Sequence, residues 1–496
     1  MTTMTINILS AIHFLALAGL ACYGLHRLWL VRSWLKERER HRGEGIQPIS
    51  KGAFQPMVTV QLPLYNEQFV AARLIDAVAA LDWPHDRLEI QILDDSNDET
   101  RQITADRCAW WRDQGIDIAV LYRHDRQGYK AGALAAGLRR ARGELIAVFD
   151  ADFVPRPDFL QQTVPSFRDD AVGMVQTRWA FLNADHSWLT RLQALLLGPH
   201  FGIEHFVRFR RGLFFNFNGT AGIWRRRAIE ESGGWQHDTV TEDLDLSYRA
   251  QLAGWRFIYL DHVSVPSELP ITLAGFRSQQ QRWAKGSLQT ARKILPTLLQ
   301  APLPLPVKLE GMAHLLANLG WILAAIATFT LLPAVIWRDG FSLKLLLLDT
   351  ALFFGSTTAI LFYLYSYARI RHQGKFTNHL PLLPLLSLGM APSLAWAVFK
   401  GIFQGGGVFE RTPKYGLKNR ERLKQLSLFQ RQHSLRLLLA NLLFCGLSFL
   451  PLLYIIEIKQ WLAAPFLILF PLGFFLVIFQ DCQEIYWSMG KEKSNV

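Results

Sequence analysis

LIAVFDAD, residues 145–152, decides the fold. Five apolar residues in a row stop abruptly at Asp150 and Asp152. A strand apolar on both faces belongs inside a covered sheet, and carboxylates just past its end lie at the edge where α/β sheets bind ligands. Working outward, MVTVQLPL (residues 57–64), LEIQIL (88–93) and residues 116–122 read as further strands. Residues 67–81 and 129–140 have helical spacing, and Asp98 or Ser96 is placed to cap a helix after the second strand. The repeated β-α-β order predicts an α/β domain whose parallel sheet is covered by helices on both faces. No Gly-rich phosphate loop follows any strand, which sets aside dinucleotide dehydrogenases and P-loop enzymes.

The rest of the chain is of another kind. Half of its 496 residues are hydrophobic and only 19% are charged, against about 25% in soluble domains. A disordered, collagen-like or disulfide-stapled protein is excluded. The net charge of +12 suggests an anionic partner: nucleic acid, a phosphorylated substrate or lipid headgroups. The four cysteines, Cys22, Cys108, Cys445 and Cys482, have no metal-ligand spacing.

Residues 6–25 form an apolar run of membrane-spanning length. No basic residue precedes it, unlike a cleaved signal peptide, and Arg27, Arg32, Lys36, Arg38, Arg40 and Arg42 follow. The positive-inside rule puts those residues in the cytoplasm. Further spans are expected at about 311–337, 345–367, 437–456 and 461–480. Residues 404–436 hold eight basic residues and are expected inside as well. Residues 380–399, with Pro381, Pro384 and Pro392, are then expected to be re-entrant or interfacial. The chain divides into an anchor (1–31), a basic linker (32–53), an α/β domain (54–306) and a membrane region (307–496).

Three motifs carry chemistry. Asp150-Ala151-Asp152 offers two carboxylates to a hard divalent cation, although a solvated acidic turn looks the same. Thr241-Glu242-Asp243 opens a helical run and is either a helix cap or a carboxylate poised as general base. Gln279, Arg282 and Trp283 of QQQRW lie together on a helix. They suit a pyrophosphate and a sugar face, or an interfacial Arg/Trp pair at a bilayer.

In the order DD, DxD, TED, QxxRW, followed by membrane helices, the chain resembles the family 2 processive glycosyltransferases, the cellulose synthases and cellulose-synthase-like mannan and glucan-backbone synthases. The likeness covers residues 54–416 and includes LPLYNE (62–67), KAGAL (130–134) and FNGTAGIWRR (217–226). FERTPK (409–414) looks like the family's F-x-V-T-x-K gating loop, with Arg411 where valine is usual. The resemblance implies a GT-A type cytoplasmic domain and an inverting transfer of a hexose, from UDP-glucose or GDP-mannose, to a β-linked glucan or mannan. It implies that Asp94, Asp95 and Lys130 contact the donor nucleotide and that Asp150 and Asp152 hold Mg2+ or Mn2+. It makes Asp243 the base beside Glu242. It puts Gln279 and Arg282 on the diphosphate, with Asp150 also donor-side. Trp283, Asn218, Gly219 and Thr220 fall on the acceptor, and Phe409, Thr412 and Lys414 in the gating loop. The FNFNGTAG segment is closer to the mannan and glucan-backbone branch than to bacterial cellulose synthases.

The rival reading is a glycolipid synthase with a ceramide or diacylglycerol acceptor, since those families share DxD and (Q/R)xxRW. A transporter leaves the soluble domain unexplained. Nucleic acid is not expected as a partner, because the basic residues cluster beside spans. The residues after the basic loop leave no room for a cyclic-dinucleotide domain. The expected setting is a multi-pass protein of a plasma or inner membrane, in contact with the lipid bilayer.

Overall fold

The computed structural model describes residues 2–41, 54–337, 343–371, 373–408, 411–416 and 435–489. Four strands form where the apolar runs place them: β1 (Val58–Leu64), β2 (Leu88–Asp94), β3 (Ile118–Tyr122) and β4 (Leu145–Val148). All four run parallel, β1 lying between β2 and β4. Side chains of the 145–149 run alternate between two cores. Leu145, Ala147 and Phe149 enter one, Ile146 and Val148 the other, so both faces of the sheet are covered.

Three more strands complete the sheet: β5 (Val172–Phe181), β6 (Gly222–Arg225) and β7 (Arg256–Ser267). The order is β3-β2-β1-β4-β6-β5-β7. The strands expected to be parallel are so, and one strand beyond them reverses: β6 is antiparallel to both β4 and β5. The reversal of β6 follows from how the chain arrives. The FNGT segment enters at the carboxyl end of β4, where Ala221 N–H donates to Val148 O at 2.9 Å, so the strand can only run back. That antiparallel insertion lays residues 218–220 beside Asp150.

The Leu273–Gln300 helix carries QQQRW across the sheet's carboxyl edge. Its first turn is held from outside the domain. Glu484, on the Leu469–Met489 helix, accepts from Leu273 N–H at 2.6 Å and Ala274 N–H at 3.3 Å. A carboxylate there satisfies orphan donors and complements the helix dipole. One turn before Glu484, Asp481 takes two 2.9 Å bonds from Arg277, both side chains being buried.

Among the described residues five helices are long and apolar enough to cross a membrane: Thr3–Arg40, Thr350–Ile370, Leu382–Phe403, Leu437–Glu457 and Ala464–Tyr486. A bent pair, Leu305–Leu315 and Leu319–Phe329, makes a sixth if counted as one span. The breaks fall elsewhere than the prolines suggest. The stretch expected to be interrupted at 380–399 is the continuous helix Leu382–Phe403. Pro381 precedes that helix and Pro384 is its third residue, where an N–H has no intrahelical acceptor to lose, while Pro392 lies in its interior without ending it. It is the expected 311–337 span that is divided, bending by 56° between its first two helices.

Buried charges join the first helix to the α/β domain. Arg27 pairs with Glu204 and takes Tyr23 Oη at 2.7 Å. Glu204 also meets Arg208 at 3.2 Å and Tyr363 Oη at 2.9 Å. Arg208 continues to Glu310 at 3.0 Å, and Glu310 to His26 at 2.8 Å. Arg27, Glu204, Arg208, Glu310 and His26 each have a partner on another element.

Breaking a buried pair costs more than the pair contributes, about 3–5 kcal/mol, because one charge is left alone. Asp481→Ala should therefore lower the thermal midpoint in detergent markedly. Replacing Arg277 with Met and Asp481 with Leu together should recover most of the loss, which unfolding followed by intrinsic fluorescence would read.

Candidate active site

An open cleft of about 1180 Å³ lies at the carboxyl edge of the sheet. The strand ends, the FNGT turn, the start of the Glu242–Leu252 helix, the QQQRW helix and residues 411–414 all contribute to its lining. At its centre Lys130 Nζ donates to Asp150 Oδ1 at 2.5 Å and to Gly219 O at 2.9 Å. The Asp150 N–H donates to Thr220 Oγ1 at 2.8 Å, which fixes the turn after β4.

Asp243 lies directly over Gly219. A Cβ on that glycine would come within 2.9 Å of Asp243 Oδ2 and 3.3 Å of Lys130 Nζ, and its φ is +80°. The cap explanation of the TED motif fails for Thr241, whose side chain accepts no N–H from the helix and lies 3.3 Å from Thr290 Oγ1. Asp243 Oδ1 accepts only from the adjacent Leu244 N–H, at 2.8 Å. Burial, with the neighbouring Glu242 charge, pushes Asp243 up to about 7 against the pull of Lys130. Burial likewise raises Glu242. For Lys130, burial lowers the ammonium, but Asp150, Glu242 and Asp243 outweigh it and the net shift is upward.

Asp152 is held by a second set of groups. Its Oδ2 accepts from Glu268 N–H at 3.1 Å and Lys414 Nζ at 2.8 Å. Lys414 also donates to Glu268 O at 2.7 Å, and Arg73 pairs with the Glu268 carboxylate at 2.7 Å. Arg411, where the resembling loop has valine, donates to Asn66 O and meets Glu67 at 3.0 Å. Burial pushes Glu67 up to about 8 even with Arg411 beside it.

The structure brings Asp95, Lys130, Asp150, Asp152, Asn218, Gly219, Glu242, Asp243, Gln279, Arg282, Trp283, Thr412 and Lys414 to one cleft. Two expectations need correction. Asp94 turns away, its oxygens taken by Ser96 N–H at 2.8 Å and Thr104 Oγ1 at 2.7 Å, so of the two only Asp95 lines the cleft. Thr220 is fully buried and positions Asp150 rather than facing the cleft. Phe409 lies outside the described residues. Sequence reasoning missed Arg73, Glu268, Trp179 and Arg126, which stand in no motif. It quoted Glu67 within LPLYNE without giving it a role.

A divalent cation fits the DxD pair. Asp150 Oδ2 and Asp152 Oδ1 each carry no hydrogen bond among the described residues, while their partner oxygens are fixed. Among those residues no group of three or more carboxylates, imidazoles or thiolates is arranged to hold a metal ion by itself. The remaining coordination therefore suits diphosphate oxygens and water.

A GT-A-like sheet with this acidic edge defines a glycosyltransferase. Residues 56–286 match the family described as Glycosyltransferase like family 2, and the chain belongs to that family. It is 44% identical over 275 residues to glucomannan 4-beta-mannosyltransferase 2 of Arabidopsis thaliana, covering 54% of this chain and 51% of that protein. Glucomannan 4-beta-mannosyltransferase 7 of the same plant is 37% identical over 411 residues, 80% of this chain and 72% of that one. The chain thus spans about half the length of the first of these relatives. In fold it is similar to a mannosyltransferase from Pyrobaculum calidifontis solved with GDP-Man and Mn2+. The TM-score is 0.52 and the identity 22%, with 77% of this chain and 99% of that one covered.

Gly219→Ala tests the packing of the carboxylate over its turn. The variant should fold, at a cost of about 1–3 kcal/mol for a side chain at positive φ. Its turnover should fall at least about tenfold, because Asp243 must move by a few tenths of an ångström or more. Retained turnover in a folded Gly219→Ala protein would show that the contact has no catalytic consequence.

Proposed function

We propose that this protein transfers mannose from GDP-mannose to the end of a growing β-linked mannan or glucomannan, with inversion at the anomeric carbon. The observation that carries the reading is Asp243: a buried carboxylate with its affinity for a proton raised to about 7, one residue from Glu242 and across Lys130 from the DxD pair. One base and one metal-binding pair suit a single in-line displacement. The mannosyltransferase relatives and the GDP-Man-bound neighbour support mannose as the sugar.

The acceptor hydroxyl approaches over the Gly219 turn, where Asp243 Oδ2 takes its proton as the new glycosidic bond forms. Glu242 keeps that proton affinity high by its charge, and Lys130 limits the rise. Asp150 and Asp152 would hold Mg2+ or Mn2+, which when bound supplies positive charge to the departing diphosphate. Arg282 and Gln279 face the same diphosphate. Trp283 offers its indole to the acceptor sugar, and Lys414 brings residues 411–416 down over Asp152. We read the α/β domain as cytoplasmic, with the apolar helices in the bilayer of a plasma or inner membrane. The glycolipid alternative needs no wall of aromatic residues along the acceptor path. Here Trp179, stacked on Phe201 at 4.8 Å, and Phe181 continue the lining beyond Trp283.

Product analysis of the purified full chain with labelled GDP-mannose, UDP-glucose and a β-mannan oligosaccharide tests the reaction. Label should enter a β-mannanase-sensitive polymer from GDP-mannose. Incorporation from UDP-glucose alone, or into lipid extract alone, would overturn the proposal.

Two variants separate binding from chemistry. Asp243→Asn should leave donor affinity near normal and lower the rate by about 10²-fold or more. Asp152→Asn should remove both turnover and the divalent-cation dependence of donor binding. The sign of the pH dependence follows from Asp243. Its base form fills as pH rises through about 7, so the rate should climb across that range and level off above it. Asp243→Asn should flatten the limb.

A further inference from the structure

Arg126 is the side chain in the cleft that the transfer chemistry leaves unused. It lines the cleft at the end where Asp95 lies, just before the Tyr129–Arg140 helix. Its guanidinium carbon sits 3.2 Å from the centre of the Tyr65 ring and 5.0 Å from that of Tyr129. Its side chain makes no hydrogen bond or ion pair to any described residue, and its Nε is buried without a partner. An arginine held flat on a ring keeps its N–H donors around the rim of the guanidinium plane, in a fixed fork. The neighbouring arginine is engaged quite differently: Arg123 grips both oxygens of Asp95, with Nε to Oδ1 at 2.8 Å. Asp95 keeps one further lone pair on each oxygen, since a carboxylate accepts about four bonds. This end of the cleft therefore presents a clamped carboxylate and a pre-oriented, unsatisfied guanidinium side by side.

We propose that Arg126 reads the nucleobase of the donor and selects guanine. The inference rests on the nucleotide-sugar reading of the cleft given above and adds to it the residue that sets base specificity. Guanine carries two adjacent acceptors, O6 and N7, that match a guanidinium fork, and two adjacent donors, N1–H and N2–H2, that match a carboxylate. Uracil has no adjacent acceptor pair and a single ring N–H. Adenine puts a donor beside N7, which leaves one arm of the fork facing an N–H. Of these bases only guanine satisfies Arg126 and Asp95 together. Tyr65 contributes by holding the guanidinium plane, so little side-chain freedom is lost when the base binds.

The test is calorimetric binding of GDP, UDP and 7-deaza-GDP to the full chain in detergent with Mn2+. Wild type should prefer GDP to UDP by at least about tenfold and should bind 7-deaza-GDP more weakly than GDP, since one good bidentate contact discriminates by roughly 5–150-fold. Arg126→Ala should bring GDP down to the level of UDP, leave UDP nearly unchanged and lose the distinction between GDP and 7-deaza-GDP. Arg126→Lys keeps the charge without the fork and should lose the 7-deaza distinction while retaining the wild-type melting temperature. If Arg126→Ala weakens GDP and UDP alike, or wild type binds UDP as well as GDP, the base-reading role is overturned while the donor site stands. If wild type binds neither nucleotide, the donor-site reading itself falls.

Discussion

Buried carboxylates gathered in one cleft repel each other, and each loses the water that would stabilise its charge. Here Asp150, Asp152, Glu242, Asp243, Glu67 and Glu268 share the carboxyl edge of one sheet. The fold meets this constraint by setting cations among them. Lys130 stands between Asp150 and the Glu242-Asp243 pair, Lys414 against Asp152, Arg411 against Glu67 and Arg73 against Glu268. Compensation is nonetheless uneven. Asp150 and Asp152 each have a fixed oxygen and a spare one, as a metal ligand needs. Asp243 is left with its proton affinity raised, as a base working near neutral pH needs. Different burial and different cation partners thus give groups of the same kind different chemical character.

The cations come from far apart in sequence, and this decides what could be read in advance. Strands β1 to β4 and the Tyr129–Arg140 helix were legible because their apolar periodicity is local and strong. β5 and β7 alternate less cleanly. β6 has only four residues and is made a strand by its neighbours rather than by its own pattern. Among site residues, those in short dense motifs were found. Arg73 and Glu268 were missed because their function is a pairing across almost two hundred positions, which leaves no spacing to recognise. Asp94 misled for the opposite reason. It stands next to Asp95 in sequence, but successive residues at a strand end point to opposite sides, and Asp94 turns inward to Thr104.

The same contrast holds among the apolar helices. Hydropathy locates them well, but proline content was a poor guide to where they break. Prolines at a helix start remove nothing that the helix was using, as with Pro381 and Pro384, and Leu382–Phe403 also runs on through Pro392 in its interior. How the helices are joined to the catalytic domain was not legible in hydropathy at all. Arg27 and Glu310, on the Thr3–Arg40 and Leu305–Leu315 helices, are both buried in one network with Glu204 and Arg208.

Glu484 and Asp481 bring the order of synthesis into the account. Both grip the start of the helix that carries Gln279, Arg282 and Trp283, yet they are made some two hundred residues later. As a chain emerges, its earlier domains fold first. The α/β sheet therefore forms while the first turn of that helix still lacks its carboxylate and Arg277 still lacks its partner. The cleft reaches its final shape only when the last apolar helix has docked. A chain stalled or cut before that point would hold a nearly complete sheet and an unfinished site, so catalytic competence becomes a report that membrane assembly has been carried through to the end.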